Sequence, residues 1–385
     1  MFVAFGRRLI SALCLPWRVR GRNASAFGSR AALGYGLAQA SDIAIGGRRL
    51  ANRTLRVGLL GGGSWGTTVA SVMANNAPTL LWARSAETVA EINERRSNER
   101  YLPGAKLSKR LRATCALDEA VSTADVLVLG VPSQAMRDTA VQVRDLIRPW
   151  VPVISLAKGL ENGSNLRMTE VLAQELPGHP LGVLTGPNLA REIVDGLAAA
   201  SVIAMEDEVI VAELQRLFRG GLFRVYTNTD VVGAELGGAL KNIFAIAAGM
   251  GDGLGAGVNT RSALLTRSIA EMMRLGVALG GKPETFAGLT GLGDLLTTCT
   301  SPQSRNRTVG VELGKGRKID DVIAGMAQVA EGVKSSGPFW QLSQERGIDV
   351  PIVREVYKVV HEGRSARSAF RGLLRRGARS EAEPG

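Results

Sequence analysis

Leu55 to Leu60 reads Leu-Arg-Val-Gly-Leu-Leu and runs straight into Gly61-Gly62-Gly63-Ser64-Trp65-Gly66, followed by the helix-compatible Thr-Thr-Val-Ala-Ser-Val-Met-Ala-Asn-Asn. A short apolar strand, a glycine turn and a helix in that order constrain the fold more than any other feature of the chain. Gly61, Gly63 and Gly66 stand in the spacing G-x-G-x-x-G: the first allows a tight turn, the second lets a pyrophosphate approach the backbone, and the third lets the helix pack closely. The helix start then offers free N–H groups and a positive dipole end to phosphate oxygens. The segment reads as a dinucleotide-binding turn.

Further strand-like runs follow at Thr79 to Trp82, Val126 to Val131, Val151 to Ala157, Leu181 to Thr185, Ala199 to Met205 and Phe223 to Thr227. Helical patterns such as Gln134 to Ile147, Leu166 to Leu176 and Glu208 to Arg219 separate most of them, and that alternation predicts a doubly wound, largely parallel sheet. After Asp230 the strand signals fade into helical stretches at Glu235 to Met250, Arg261 to Leu279, Ile319 to Met326, Gly337 to Arg346 and Pro351 to His361. The expected architecture is α/β: a Rossmann-like dinucleotide-binding domain over 54–232 and an all-helical substrate domain over 233–363. Without a Ser, Thr or Pro-rich linker the two are expected to pack closely, with the active site between them.

Where an NAD-preferring site would present an acid at the end of the second strand, this chain has Ala83-Arg84-Ser85. An arginine there can accept a 2′-phosphate, so NADP is expected to serve as well as NAD.

Charge refines this picture. The 385 residues carry 47 Lys and Arg against 35 Asp and Glu, a net +12, but residues 1–53 hold nine arginines and one acid and residues 364–385 six arginines and two acids. The body between them is neutral, and neither end interleaves its arginines with base-stacking aromatics, so nucleic acid is not an expected partner. Residues 1–53 read as a disordered leader, an organelle transit peptide or a start-site extension, and residues 364–385 as a flexible basic tail. No run of 18 residues is continuously apolar, and stable membrane insertion is not expected. Cys14, Cys115 and Cys299 are scattered and odd in number, which suits a reducing compartment and a cytoplasmic location. With only His179 and His361, a histidine-rich metal site or a histidine triad lacks raw material, and no metal is expected.

Proton transfer then falls to lysine. Lys158 follows an apolar strand and precedes Gly159, at the carboxyl end of the sheet where open α/β sheets bind ligands. Lys241 sits in Gly237-Gly238-Ala239-Leu240-Lys241-Asn242, among small residues that let other backbones come close. Burial there disfavours the ammonium and lowers its pKa, as a general acid and base requires. A third cluster, Gly291-Leu292-Gly293-Asp294-Leu295 with Ser304-Arg305-Asn306-Arg307, has the makings of a phosphate cradle.

Taken together, Gly61-x-Gly63-Ser64-Trp65-Gly66-Thr67, Leu81-Trp82-Ala83-Arg84, Ser155-Leu156-Ala157-Lys158-Gly159, Thr185-Gly186-Pro187-Asn188-Leu189-Ala190, Leu240-Lys241-Asn242, Gly291 to Leu295 and Ser304 to Arg307 resemble, in order and spacing, the soluble NAD(P)-dependent glycerol-3-phosphate dehydrogenases of bacterial type. The resemblance spans about residues 54–363. It implies reversible hydride transfer between NAD(P)H and dihydroxyacetone phosphate, giving sn-glycerol 3-phosphate for phospholipid synthesis, by a homodimer. It makes Lys241 the proton donor and acceptor, and Lys158, Gly186, Asn188, Lys241, Asp294, Ser304, Arg305 and Asn306 the substrate contacts. The implied cofactor contacts are Gly61, Gly63, Ser64, Trp65, Gly66, Arg84, Lys158, Ala190, Arg305, Val329 and Glu331, with Tyr101 a further candidate. Asn188 stands where many relatives have a small hydroxyl residue. The alternatives are another two-domain dehydrogenase acting on a hydroxy acid or hydroxyacyl thioester, and a non-catalytic NAD(P)-sensing regulator.

Overall fold

The structure is a computed structural model, and it describes residues 44–45, 48–49, 54–326 and 330–374. It divides into two compact units. In the first, 1–52, two short antiparallel strands, Ala44–Ile45 and Arg48–Arg49, pair Ala44 with Arg49 and Ile45 with Arg48. Apart from these four residues, the segment expected to be a leader lies outside the described residues.

The second unit, 53–385, is built on one eight-stranded sheet. Its strands are β1 (Val57–Leu60), β2 (Thr79–Trp82), β3 (Arg112–Thr114), β4 (Val126–Leu129), β5 (Val153–Ser155), β6 (Leu181–Thr185), β7 (Ala199–Met205) and β8 (Phe223–Asn228). The order is β8-β7-β6-β5-β4-β1-β2-β3, the doubly wound arrangement that reverses direction between β1 and β4 and opens a crevice at their carboxyl ends. Strands β1, β4 and β5 are buried on both faces, which is why they read as unbroken apolar runs. Apolar clusters fill both sides of the sheet.

All neighbours are parallel except β6 with β7. The connection between those two holds only the five-residue helix Ala190–Val194. Strand β3 is absent from the sequence reading. It is a three-residue polar edge strand, too short to leave an apolar pattern.

The helix after the glycine turn is α1 (Ser64–Met73). The helical half is organised around α2 (Val231–Gly253), a 23-residue helix buried along almost its whole length. It is long and apolar enough to cross a membrane, but 94% of its most apolar window lies inside the protein. Around it pack α3 (Val258–Ala278), α4 (Asp294–Thr300), α5 (Arg305–Gly314), α6 (Glu331–Glu345), α7 (Pro351–His361) and α8 (Ala366–Leu374). Helix α6 starts six residues before the expected Gly337 and contains Pro338.

Helix α8 corrects the expectation of a flexible tail from residue 364. Ala366, Ala369, Phe370 and Leu373 recur at helical spacing and pack into the core of the helical half, and Arg364 pairs with the buried Glu355 at 2.7 Å. The apolar stripe decides the structure here despite the arginines. Residues 375–385 lie outside the described part.

Candidate active site

In the turn between β1 and α1 the glycines are required by geometry. Gly61 has φ +126°, and a Cβ on it would lie 2.5 Å from the Gly130 carbonyl. A Cβ on Gly66 would overlap the Gly61 carbonyl, whereas one on Gly63 would meet nothing within 4 Å. The turn is therefore closed beneath Gly61 and Gly66 and open above Gly63. Asn98, fully buried, fastens it from below by donating to the Gly62 carbonyl at 3.0 Å and to Thr67 Oγ1 at 2.9 Å.

The start of α1 has Gly63 as N-cap and no side-chain cap, and the buried Trp65 indole Nε1 has no hydrogen-bond partner. Uncapped N–H donors and an orphaned indole donor at a helix start fit a pyrophosphate. Arg84 is exposed just beyond β2. Ala190 lies against α1, its carbonyl accepting from Thr68 Oγ1 at 3.3 Å.

Past the carboxyl ends of β5 and β6 lies a charge cluster. Lys158, just past β5, donates to the Gly186 carbonyl at 2.8 Å and pairs with Asp294 Oδ2 at 2.6 Å. Lys241 on α2 pairs with the other oxygen of the same carboxylate and donates to Thr298 Oγ1 at 2.7 Å. Asp294 is fully buried and Lys241 is 7% exposed. Burial pushes the Lys241 ammonium down to about 7, with Lys158 adding to the depression and Asp294 opposing it. Thr298, one turn after Asp294 on α4, has no place in the sequence reading. Its signal is the four-residue spacing that puts both on one helix face.

Glycines bring these residues together. A Cβ on Gly237 would lie 2.7 Å from the Thr290 carbonyl, and one on Gly238 2.6 Å from Thr185 Oγ1. Larger residues at those two positions would hold α2 away from the end of β6 and from the π-helical turn Leu289–Gly293 that delivers Asp294.

Behind the cluster, Asn242 donates to the Lys158 carbonyl at 3.1 Å and accepts from Asn306 Nδ2 at 2.9 Å, while Asn306 Oδ1 accepts from Gly332 N at 2.9 Å. Asn306 keeps one N–H for a ligand. Ser304 caps α5 by accepting from Arg307 N at 3.3 Å, and Arg305, the first residue of that helix, is exposed. Beside Gly186, Asn188 donates to Ser201 Oγ at 3.1 Å, and both its Oδ1 and Thr185 Oγ1 are buried without a partner.

Two expected cofactor contacts stand differently. Val329 lies outside the described residues. Glu331 accepts from Ser133 Oγ at 2.6 Å and Ser133 N at 3.3 Å, so its carboxylate ties the loop after β4 to the start of α6. Both histidines are engaged elsewhere, His179 with the Val151 carbonyl and His361 with Ser336.

Family models described as the N-terminus and the C-terminus of NAD-dependent glycerol-3-phosphate dehydrogenase match residues 56–211 and 230–371. A glycerol-3-phosphate dehydrogenase, NAD(P)+ type, of Sphingopyxis alaskensis is 63% identical over 331 residues, covering 86% of this chain and 99% of the relative. One from Mycobacterium avium is 54% identical over 323 residues, covering 84% and 95%. The crystal structure of a glycerol-3-phosphate dehydrogenase from Coxiella burnetii superposes with a TM-score of 0.80 at 37% identity, covering 84% of this chain and 99% of that one.

Proposed function

The chain belongs to the NAD-dependent glycerol-3-phosphate dehydrogenase family, and from that premise we infer how its residues divide the work of an NAD(P)-dependent enzyme interconverting dihydroxyacetone phosphate and sn-glycerol 3-phosphate. The observation that carries the reading is the pair of lysines sharing the buried Asp294 carboxylate, one of them desolvated. When bound, the reduced nicotinamide supplies hydride to C2 of the substrate.

Lys241 gives a proton to the C2 oxygen during reduction and takes one from the C2 hydroxyl during oxidation. A pKa of about 7 leaves both forms populated near neutrality. Lys158, anchored by Gly186 and Asp294, presents positive charge to the oxygen as it becomes an alkoxide, and Asn242 holds the Lys158 backbone in place. Arg305 and Asn306 at the start of α5 hold the phosphate, and binding it aligns the reacting carbon. Gly186 and Asn188 face the remainder of the substrate.

Gly61, Gly63, Ser64, Trp65 and Gly66 would hold the dinucleotide phosphates, with Arg84 beside the ribose and Ala190 against α1. In this reading Glu331 acts through Ser133. A homodimer in the cytoplasm completes the proposal.

The test is the oxidation of NADPH and NADH with dihydroxyacetone phosphate against a panel of keto acids and acyl-CoA substrates. Turnover confined to dihydroxyacetone phosphate supports the reading. Preference for another substrate, or no turnover with any, overturns it.

A further inference from the structure

The proton-transfer lysine and the phosphate-holding residues stand on different helices, α2 and α5, so their separation depends on how those helices are locked together. The contact is unusually close. A Cβ on Gly249 would overlap the Arg307 carbonyl, one on Gly310 would overlap the Ile246 carbonyl, and Gly253 and Gly314 face each other within the same groove. Glycines at both four-residue spacings, Gly249 with Gly253 and Gly310 with Gly314, let the two backbones touch.

Two polar links cross this contact: near Lys241, Asn242 accepts from Asn306 Nδ2 at 2.9 Å, and towards the end of α2 a carboxylate holds two arginines. Asp252, at the end of α2 and with only a tenth of its side chain exposed, accepts from Arg307 through Oδ2, at 2.8 Å from Nε and 2.6 Å from Nη2. Through Oδ1 it accepts from Arg261 on α3, at 3.0 Å from Nε. One oxygen serves each arginine. Arg307 is two residues from Arg305 in the first turn of α5, and its own backbone N–H bonds the Ser304 cap.

We propose that Asp252 is a positioning residue for the phosphate grip: by holding Arg307 on one oxygen and Arg261 on the other, it sets where the first turn of α5 presents Arg305 and Asn306 relative to Lys241. It touches neither substrate nor cofactor. The proposal rests on the functional reading above, since it presumes a phosphorylated substrate held at the start of α5.

The test is steady-state reduction of dihydroxyacetone phosphate and of unphosphorylated dihydroxyacetone by the full chain and by Asp252→Asn and Arg307→Gln. In Asp252→Asn the amide cannot accept from both arginines. With dihydroxyacetone phosphate, KM should rise about tenfold in either variant while kcat changes by less than about threefold. With dihydroxyacetone, which has no phosphate to align, kcat/KM should stay within about twofold of the parent. Arg261→Gln, which leaves Arg307 in place, should show a smaller rise in KM than either. Equal losses on both substrates, or an unchanged KM, would overturn the proposal. Should Asp252→Asn fail to fold, Arg307→Gln and Arg261→Gln decide it alone. If the unaltered chain turned over no dihydroxyacetone phosphate, the functional reading would fail, whatever the role of Asp252.

Discussion

The two parts of the proposed site, the glycine turn assigned to the cofactor and the lysine–aspartate cluster assigned to the substrate, are built in opposite ways. At the cofactor end the chain offers its backbone: a positive-φ glycine, a glycine that admits the next turn, and an uncapped helix start, with few charged groups involved. At the substrate end it offers side chains, with two lysines balanced on one buried carboxylate and a threonine beside them. Backbone recognition is contiguous and depends on glycine identity, whereas the charge cluster draws on residues 158, 241, 294 and 298. The first should therefore fail by steric exclusion and the second by loss of charge balance.

The largest expected effect is at the second end. Lys241→Met should lower kcat by about a thousandfold or more while leaving the dissociation constant for NADPH within about twofold, as read by rapid kinetics and fluorescence titration. A variant retaining most of its kcat would break the comparison. Next, Gly66→Ala places a methyl group against the Gly61 carbonyl and should weaken NADPH binding by about a hundredfold, with the residual kcat at saturating cofactor much less affected. Weak binding together with lost kcat would mean that the two ends are not separable.

Asp294→Asn removes the shared counter-charge. Without the carboxylate Lys241 should titrate lower still, since Asp294 is the group opposing its depression. In the proposed mechanism reduction needs the protonated lysine, so kcat/KM for dihydroxyacetone phosphate in the unaltered chain should fall as pH rises through about 7, while kcat/KM for oxidation rises over the same range. In Asp294→Asn both limbs should move to lower pH, and a profile that stayed in place would separate Asp294 from the titration. The smallest effect expected is at Arg84→Asp, which should raise KM for NADPH about tenfold and leave NADH nearly unchanged; equal changes would remove the 2′-phosphate from its role.

That difference in construction also explains what was legible in the sequence. The glycine turn, the bounds of β2, β6 and β7 and the whole of α7 could be read because each rests on a local pattern. Lys241 was legible too, through the small residues around it that foretell burial. Thr298 and Ser133 were not, since each acquires meaning only when a partner from another element meets it. Helix α8 failed for a different reason. Its apolar stripe at residues 366, 369, 370 and 373 was present, but the arginines around it drew the reading toward a solvated tail.

Helix α2 has a consequence during synthesis. A segment apolar enough to pass for a membrane span emerges from the ribosome well before the helices that cover it, and α8, whose Phe370 packs on Gly251, comes last. The interval from residue 253 to residue 374 takes roughly 6 to 24 s at about 5–20 residues per second. Over that time the most hydrophobic stretch of the helical half is covered step by step, by α3 first and by α8 last.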